Sequence, residues 1–245
     1  MGKRGKESYS MPLMRHQYCG DLMTAILTWK YLHILMFVFW VGTDMGVFLS
    51  CKKATDPKVP IDARFMLLHM ALRIELLPRT MWKLALPLGM TLSREMQLIA
   101  LSLVNLLIIW AFSIAWWVLS VSAGWFYDKP IGHTLNKYNN IVTGIVGTVL
   151  IIIAATSLMG NGPFAADATW LSWKVGVYGL INLAIVAMLY VFDPMGIEFG
   201  KLAVEGSTPE TEANITSIMN RAAVTIWFTY FLIFVVGFIA TTKII

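Results

Sequence analysis

Apolar residues fall along this chain in long blocks separated by short polar breaks, and block length predicts the architecture. A helix needs about 20 mostly apolar residues to cross roughly 30 Å of hydrocarbon. The first such block is Ile26–Leu49, ended by Cys51-Lys52-Lys53 and a loop holding Pro57 and Pro60. A second begins near Asp62 or Arg64 and runs to Leu92, with Pro78 and Pro87 inside it. The third is Ile99–Ala123. A polar stretch, Tyr127–Asn140, leads into a fourth at Ile141–Leu158, and Asn161-Gly162-Pro163 separates that from a fifth at Trp170–Phe192. Asp193-Pro194 closes the fifth block, and a polar stretch from Glu198 to Asn220, with a solvated loop at Glu205–Glu212, precedes the sixth, Ala222–Thr241.

Lipid offers the backbone no hydrogen-bond partner, so each block is expected to be helical. The pattern predicts an all-α fold, a polytopic membrane helical bundle of about six transmembrane helices. Residues 1–25 form a basic polar N-terminal segment, and residues 26–245 a single transmembrane domain with a polar loop near 198–220. No small-residue cleavage site follows the first block, which is therefore expected to stay as a spanning helix. Lys3, Arg4, Lys6 and Arg15 favour a cytoplasmic N-terminus in a cell (inner) membrane, although Lys52, Lys53 and Lys58 compete from the first loop.

Composition agrees. Hydrophobic residues make up 58% of the chain and charged residues 13%, half the charged share of a soluble domain. The net charge of +5 is read as a topology signal and headgroup contact, not as nucleic-acid binding. Two cysteines, Cys19 and Cys51, carry no C-x-x-C or C-x-x-C-H pattern, which excludes covalent c-type haem and a Cys-rich iron–sulfur site. The 15 methionines are scattered on apolar faces and suit packing better than a copper site. Trp110, Trp116, Trp117, Trp125, Trp170 and Trp173 are expected in interfacial belts. Gly144, Gly147, Gly176 and Gly179 form small-residue faces for close helix approach. No acyl-transfer triad, phosphate loop or paired-carboxylate site is visible.

The chemistry lies in polar residues inside apolar blocks, because charged groups at depth usually face a protein interior, a water cavity or a partner charge. Arg64, Arg73, Glu75, Arg79 and Lys83 share the second block. Glu75 and Arg79, four apart, can neutralise each other within one helix. Arg73 and Lys83 then need a carboxylate or bound anion, with snorkelling to the headgroups the alternative for Arg64 and Lys83. If the first helix enters near Thr28, His33 lies about 7 Å inside that face and Arg79 returns to a similar level, with Lys174 near it. Asp44, His69 and Arg73 fall toward the opposite face, where His69 and Asp44 are a possible proton relay. His33 and His69 are then about 15 Å apart in depth, a poor axial pair for bis-His haem. A single-His haem, with His33 or His69 as metal ligand and Arg or Lys at its propionates, stays open. His16 and His133 read as surface residues.

Lys30-Tyr-Leu-His33-Ile-Leu-Met-Phe-Val-Phe-Trp40-Val-Gly42 resembles the opening helix of the HemJ-type protoporphyrinogen oxidase and CopD-like membrane families. Trp170-Leu-Ser-Trp173-Lys174 is similar to their Trp-x-x-x-Lys helix start, and Leu77-Pro78-Arg79 through Pro87-Leu-Gly89 to an Arg-then-Pro helix of their relatives. The resemblance implies a bundle binding b-type haem, with His33 as ligand and Arg79 and Lys174 as basic positions of the site. It departs after the first helix, where Phe48-Leu-Ser-Cys51 replaces an Arg and a Tyr-His pair.

Three functions remain open from sequence. One is a haem b redox protein passing electrons within a membrane complex, with cofactor-binding candidates His33, Arg79, Lys174, His69 and Arg73 and with quinone or porphyrin as partner. Another is a cofactor-free accessory or anchoring subunit, contacting lipid and other membrane subunits or a second copy. The last is a transporter of a metal ion or small solute built on Asp44, His69 and the buried basic residues.

Overall fold

The computed structural model describes residues 10–244, apart from the side chains of residues 10–19 and 21. Lys3, Arg4 and Lys6, and the side chains of Arg15, His16 and Cys19, therefore lie outside the described residues. The fold is all-α: α1 (Ser10–Ala54), α2 (Ile61–Ile74), α3 (Leu76–Glu95), α4 (Leu103–Trp125), α5 (Pro130–Leu158), α6 (Thr169–Phe192), α7 (Met195–Glu205) and α8 (Pro209–Thr242). Among the described residues, five segments are long and apolar enough to cross a membrane: Leu22–Ala54, Leu103–Trp125, Pro130–Leu158, Thr169–Glu205 and Pro209–Thr242.

The expected second span is the exception, being too charged to qualify on composition. It forms α2 and α3, broken at Glu75 because Pro78 has no N–H to bond the Ile74 carbonyl. Both halves pack along α1 in antiparallel register. Arg64 bonds the Ala54 carbonyl at one end, and Gly89 faces the His33 ring at the other. The rods then follow chain order around a ring: α1 on α2–α3, α3 on α4, α4 on α5, α5 on α6, α6 on α8. α8 closes the ring on α1 through side chains, with Phe37 against Gly237, Asp44 against Tyr230 and Phe48 against Trp227.

Two expected loops are largely helix. Pro130 and Pro209 occupy the first turns of α5 and α8, where a missing N–H is harmless. The polar stretch 127–140 thereby becomes the start of α5. The loop near 198–220 shrinks to residues 206–208, where Gly206 takes a left-handed φ of 77° and Thr208 caps α8. Polar composition suggests coil, yet most of these residues are helical turns.

The exterior differs from that of a water-soluble protein, although the core is also largely apolar. Ile34 and Val38 on α1, Ile108 and Phe112 on α4, Ile145 and Ile152 on α5, and Phe231 and Phe234 on α8 point outward. Arg64, Lys83, Ser113, Ser120, Asn139, Thr143 and Asn182 point inward and are buried. An apolar exterior, with the polar side chains of the spans turned into a core that is otherwise apolar, is the arrangement lipid favours.

Candidate functional site

Helical spacing sets the inner lining. On α1, His33, Met36, Phe37, Trp40 and Asp44 recur three or four apart and share a face. Leu171, Lys174, Val175 and Tyr178 do the same on α6, and Met81, Ala85, Gly89 and Ser93 on α3. These three faces enclose a cavity of about 100 Å³, with Phe164 from the α5–α6 connection on its wall. That connection is tied to the α3–α4 connection by Ala165 N–H on the Leu98 carbonyl.

Inside this cavity His33 Nε2 lies 3.5 Å from Lys174 Nζ. A protonated lysine offers only donors; beside it Nε2 accepts and Nδ1 carries the imidazole proton. Nδ1 is buried and has no hydrogen-bond partner among the described residues. Lys174 has no carboxylate within salt-bridge distance among the described residues. Gly89 allows the approach of α3, since a Cβ there would meet His33 Cε1 at 3.3 Å. The cavity thus presents surplus donors on an apolar wall, the complement of a ligand with an acceptor oxygen.

Arg79, expected at the level of His33, is elsewhere. It pairs with Glu75 at 2.8 Å, as its spacing predicted, and donates to the Ser120 carbonyl at 3.1 Å. It lines a second cavity of about 50 Å³ with Asp44, Glu75, Asn139 and Tyr230. The depth estimate is corrected by the register: Gly89, ten residues beyond Arg79 and about 15 Å further along the helix, stands opposite His33.

His69 does not meet Asp44. Its Nδ1 is 2.6 Å from the Tyr127 hydroxyl, whereas Asp44 accepts from Tyr230 at 2.8 Å. The expected relay between His69 and Asp44 is therefore absent. Arg73 finds no carboxylate among the described residues; its guanidinium stacks over Trp125, 4.7 Å from the ring centroid, and lies 5.7 Å from that of Tyr127. His69 and Arg79 both line a third cavity, of about 450 Å³, together with Tyr127, His133, Asn136 and Asp193. The five candidate residues therefore sort into two places: His33 with Lys174 toward one end of the bundle, and His69, Arg73 and Arg79 around Tyr127 and Glu75 toward the other.

Two basic residues that were candidates for snorkelling are fully buried. Arg64 holds Glu212 through two bonds of 2.6 and 3.1 Å. Lys83 Nζ sits 3.4 and 3.8 Å from the ring centroids of Trp82 and Trp116 and donates to Thr143 Oγ1 at 3.1 Å. Trp116, expected in an interfacial belt, is thus part of an internal aromatic cage. Tyr178, Tyr230, Asn139 and Asn182 escaped the sequence reading. Their one signal was a polar atom within or beside an apolar helix, which many packed residues share.

Among the described residues, no three or more His, Cys, Asp or Glu side chains converge as a metal site. Haem b at His33 finds a single imidazole whose Nε2 already faces Lys174, in about 100 Å³ of space. Drug-sized ligands occupy roughly 300–1,000 Å³. The side chains as they stand do not fit a porphyrin. No protein-family model, curated protein or solved structure matches the chain.

Proposed function

We propose that this integral membrane protein binds a lipid-soluble, ring-bearing molecule of the quinone class, with a carbonyl oxygen on His33 and Lys174. The observation that carries the reading is the unpartnered Nδ1 of His33 beside a lysine without a carboxylate, inside an apolar cavity. A buried donor left unsatisfied costs about 1–3 kcal/mol, which a ligand oxygen would recover. At about 100 Å³ the space is smaller than the roughly 150 Å³ apolar cavity that takes up benzene, so a ring enters only as the wall yields. Met36, Met81 and Met90 on its wall are adaptable enough to follow the ring's shape. A tail has a lateral route at the seam between α1 and α8, where Phe37 and Val236 line the cavity. Such a ligand makes a redox role within a membrane complex the natural one, the chain supplying the binding site and the membrane anchor.

The purified protein in detergent tests this through its absorbance spectrum and through organic extraction of bound molecules. Quinone in the extract, lost in both H33A and K174M, is the expected result. A reducible Soret band removed by H33A would install haem b in its place. A colourless protein with an empty extract, unresponsive to added short-chain quinone, would leave the anchoring-subunit reading instead.

A further inference from the structure

The second cavity reverses the chemistry of the first. Glu75 is neutralised by Arg79, but Asp44 has no cation within salt-bridge distance among the described residues, and its one hydrogen bond comes from the Tyr230 hydroxyl. Asn139 is only 1% exposed; its Nδ2 donates to Asn140 Oδ1 at 3.4 Å while its own Oδ1 has no partner. Thr229 donates its hydroxyl proton to the Thr225 carbonyl, which leaves its oxygen lone pairs free. Asp44, Asn139 and Thr229 all line the same cavity. Apart from the Trp40 and Trp82 indoles, its side-chain donors are engaged, and what remains is a charged carboxylate and neutral oxygens.

We propose that this cavity binds one small monovalent cation of the sodium type, with Asp44 supplying the charge and Asn139 Oδ1 a neutral oxygen ligand. Hard cations select oxygen ligands, and an unpaired carboxylate at membrane depth is expensive unless something neutralises it. About 50 Å³ holds one such ion with little room besides. The other charged groups nearby are committed: Arg79 to Glu75, and Lys83 to Thr143 and its two tryptophans. Access comes from the 450 Å³ cavity, which shares Glu75, Arg79 and Leu189 with this one. The proposal is independent of the ligand at His33.

Calorimetric titration of the purified full chain with NaCl, against choline chloride at constant ionic strength, tests it. Saturable sodium binding near one ion per chain is expected, with a sodium-dependent rise in Tm that choline does not reproduce. Asp44→Asn should abolish the response and Asn139→Ala should weaken it at least tenfold. If Asp44→Asn fails to fold, the wild-type titration and Asn139→Ala still decide. Absence of saturable heat overturns the proposal. So does a sodium response that survives Asp44→Asn, or a Tm that follows pH alone, since a proton or a water would then be the occupant.

Discussion

Gly147 on α5 and Gly179 on α6 meet backbone to backbone. A Cβ on Gly147 would come within 2.9 Å of the Gly179 carbonyl oxygen, and one on Gly179 within 2.7 Å of the Gly147 carbonyl oxygen. No flexible side chain can yield there, so the helices themselves must separate. Gly179→Val is expected to lower stability by about 3 kcal/mol, the upper part of the range for overpacking. Thermal unfolding in detergent measures it, and an unchanged Tm would show that α5 and α6 can part without loss.

Arg64 holds Glu212 and the Ala54 carbonyl from a fully buried position, tying α2 to α8 and to the end of α1. Removing one partner of such a pair strands the other charge. Arg64→Ala should destabilise by about 3 kcal/mol, and Arg64→Ala with Glu212→Gln should recover part of that. A double variant no better than the single one would mean that the Ala54 contact or packing, not the ion pair, carries the effect.

Lys83 gives a test of the opposite kind. Its side-chain nitrogen has aromatic rings and a hydroxyl but, among the described residues, no carboxylate within salt-bridge distance. Methionine of similar length removes the desolvation penalty, and such replacements are often neutral or stabilising. Lys83→Met should therefore keep or raise Tm, whereas Lys83→Ala should lower stability by about 2 kcal/mol through the void it opens. A clear fall in Lys83→Met would show that the ring contacts outweigh desolvation.

Gly89 tests the close approach of α3 to the site. Its missing side chain lets the helix close on the His33 ring, which a Cβ would already meet at 3.3 Å. Gly89→Val should press on that ring and weaken short-chain quinone binding at least tenfold. Unaltered affinity with a folded protein would move the ligand out of this cavity.

Tyr127 lies between two spans and donates to or accepts from His69 at 2.6 Å. Burial pushes its hydroxyl up from the ordinary 10.0, with the Arg73 guanidinium pulling it down and Asp128 pushing it up. The neutral hydroxyl is thus favoured in the folded chain. Its contribution is complete below pH 10 and declines as pH rises above 10 toward the folded value. Tyr127→Phe should cost about 1 kcal/mol at neutral pH and flatten the alkaline fall in Tm. An identical alkaline profile in both proteins would assign that fall to another group.

The sequence by itself determined that the chain is an all-α membrane bundle, since block length and the lack of backbone partners in lipid leave few alternatives. It also determined the Glu75–Arg79 pair and the small faces at Gly147 and Gly179, because both follow from spacing along one helix or from residue size. Tertiary structure alone decided which polar groups meet. The register between α1 and α2–α3 is set by side-chain packing over their whole length, and a helix boundary displaced by a few residues moves a partner by several ångströms. That is why Gly89 rather than Arg79 faces His33, and why Asp44 meets Tyr230 rather than His69. Lys174 meets His33 from a helix far away in sequence: their common depth was legible from the rise per residue, but their adjacency depends on the order of rods around the ring.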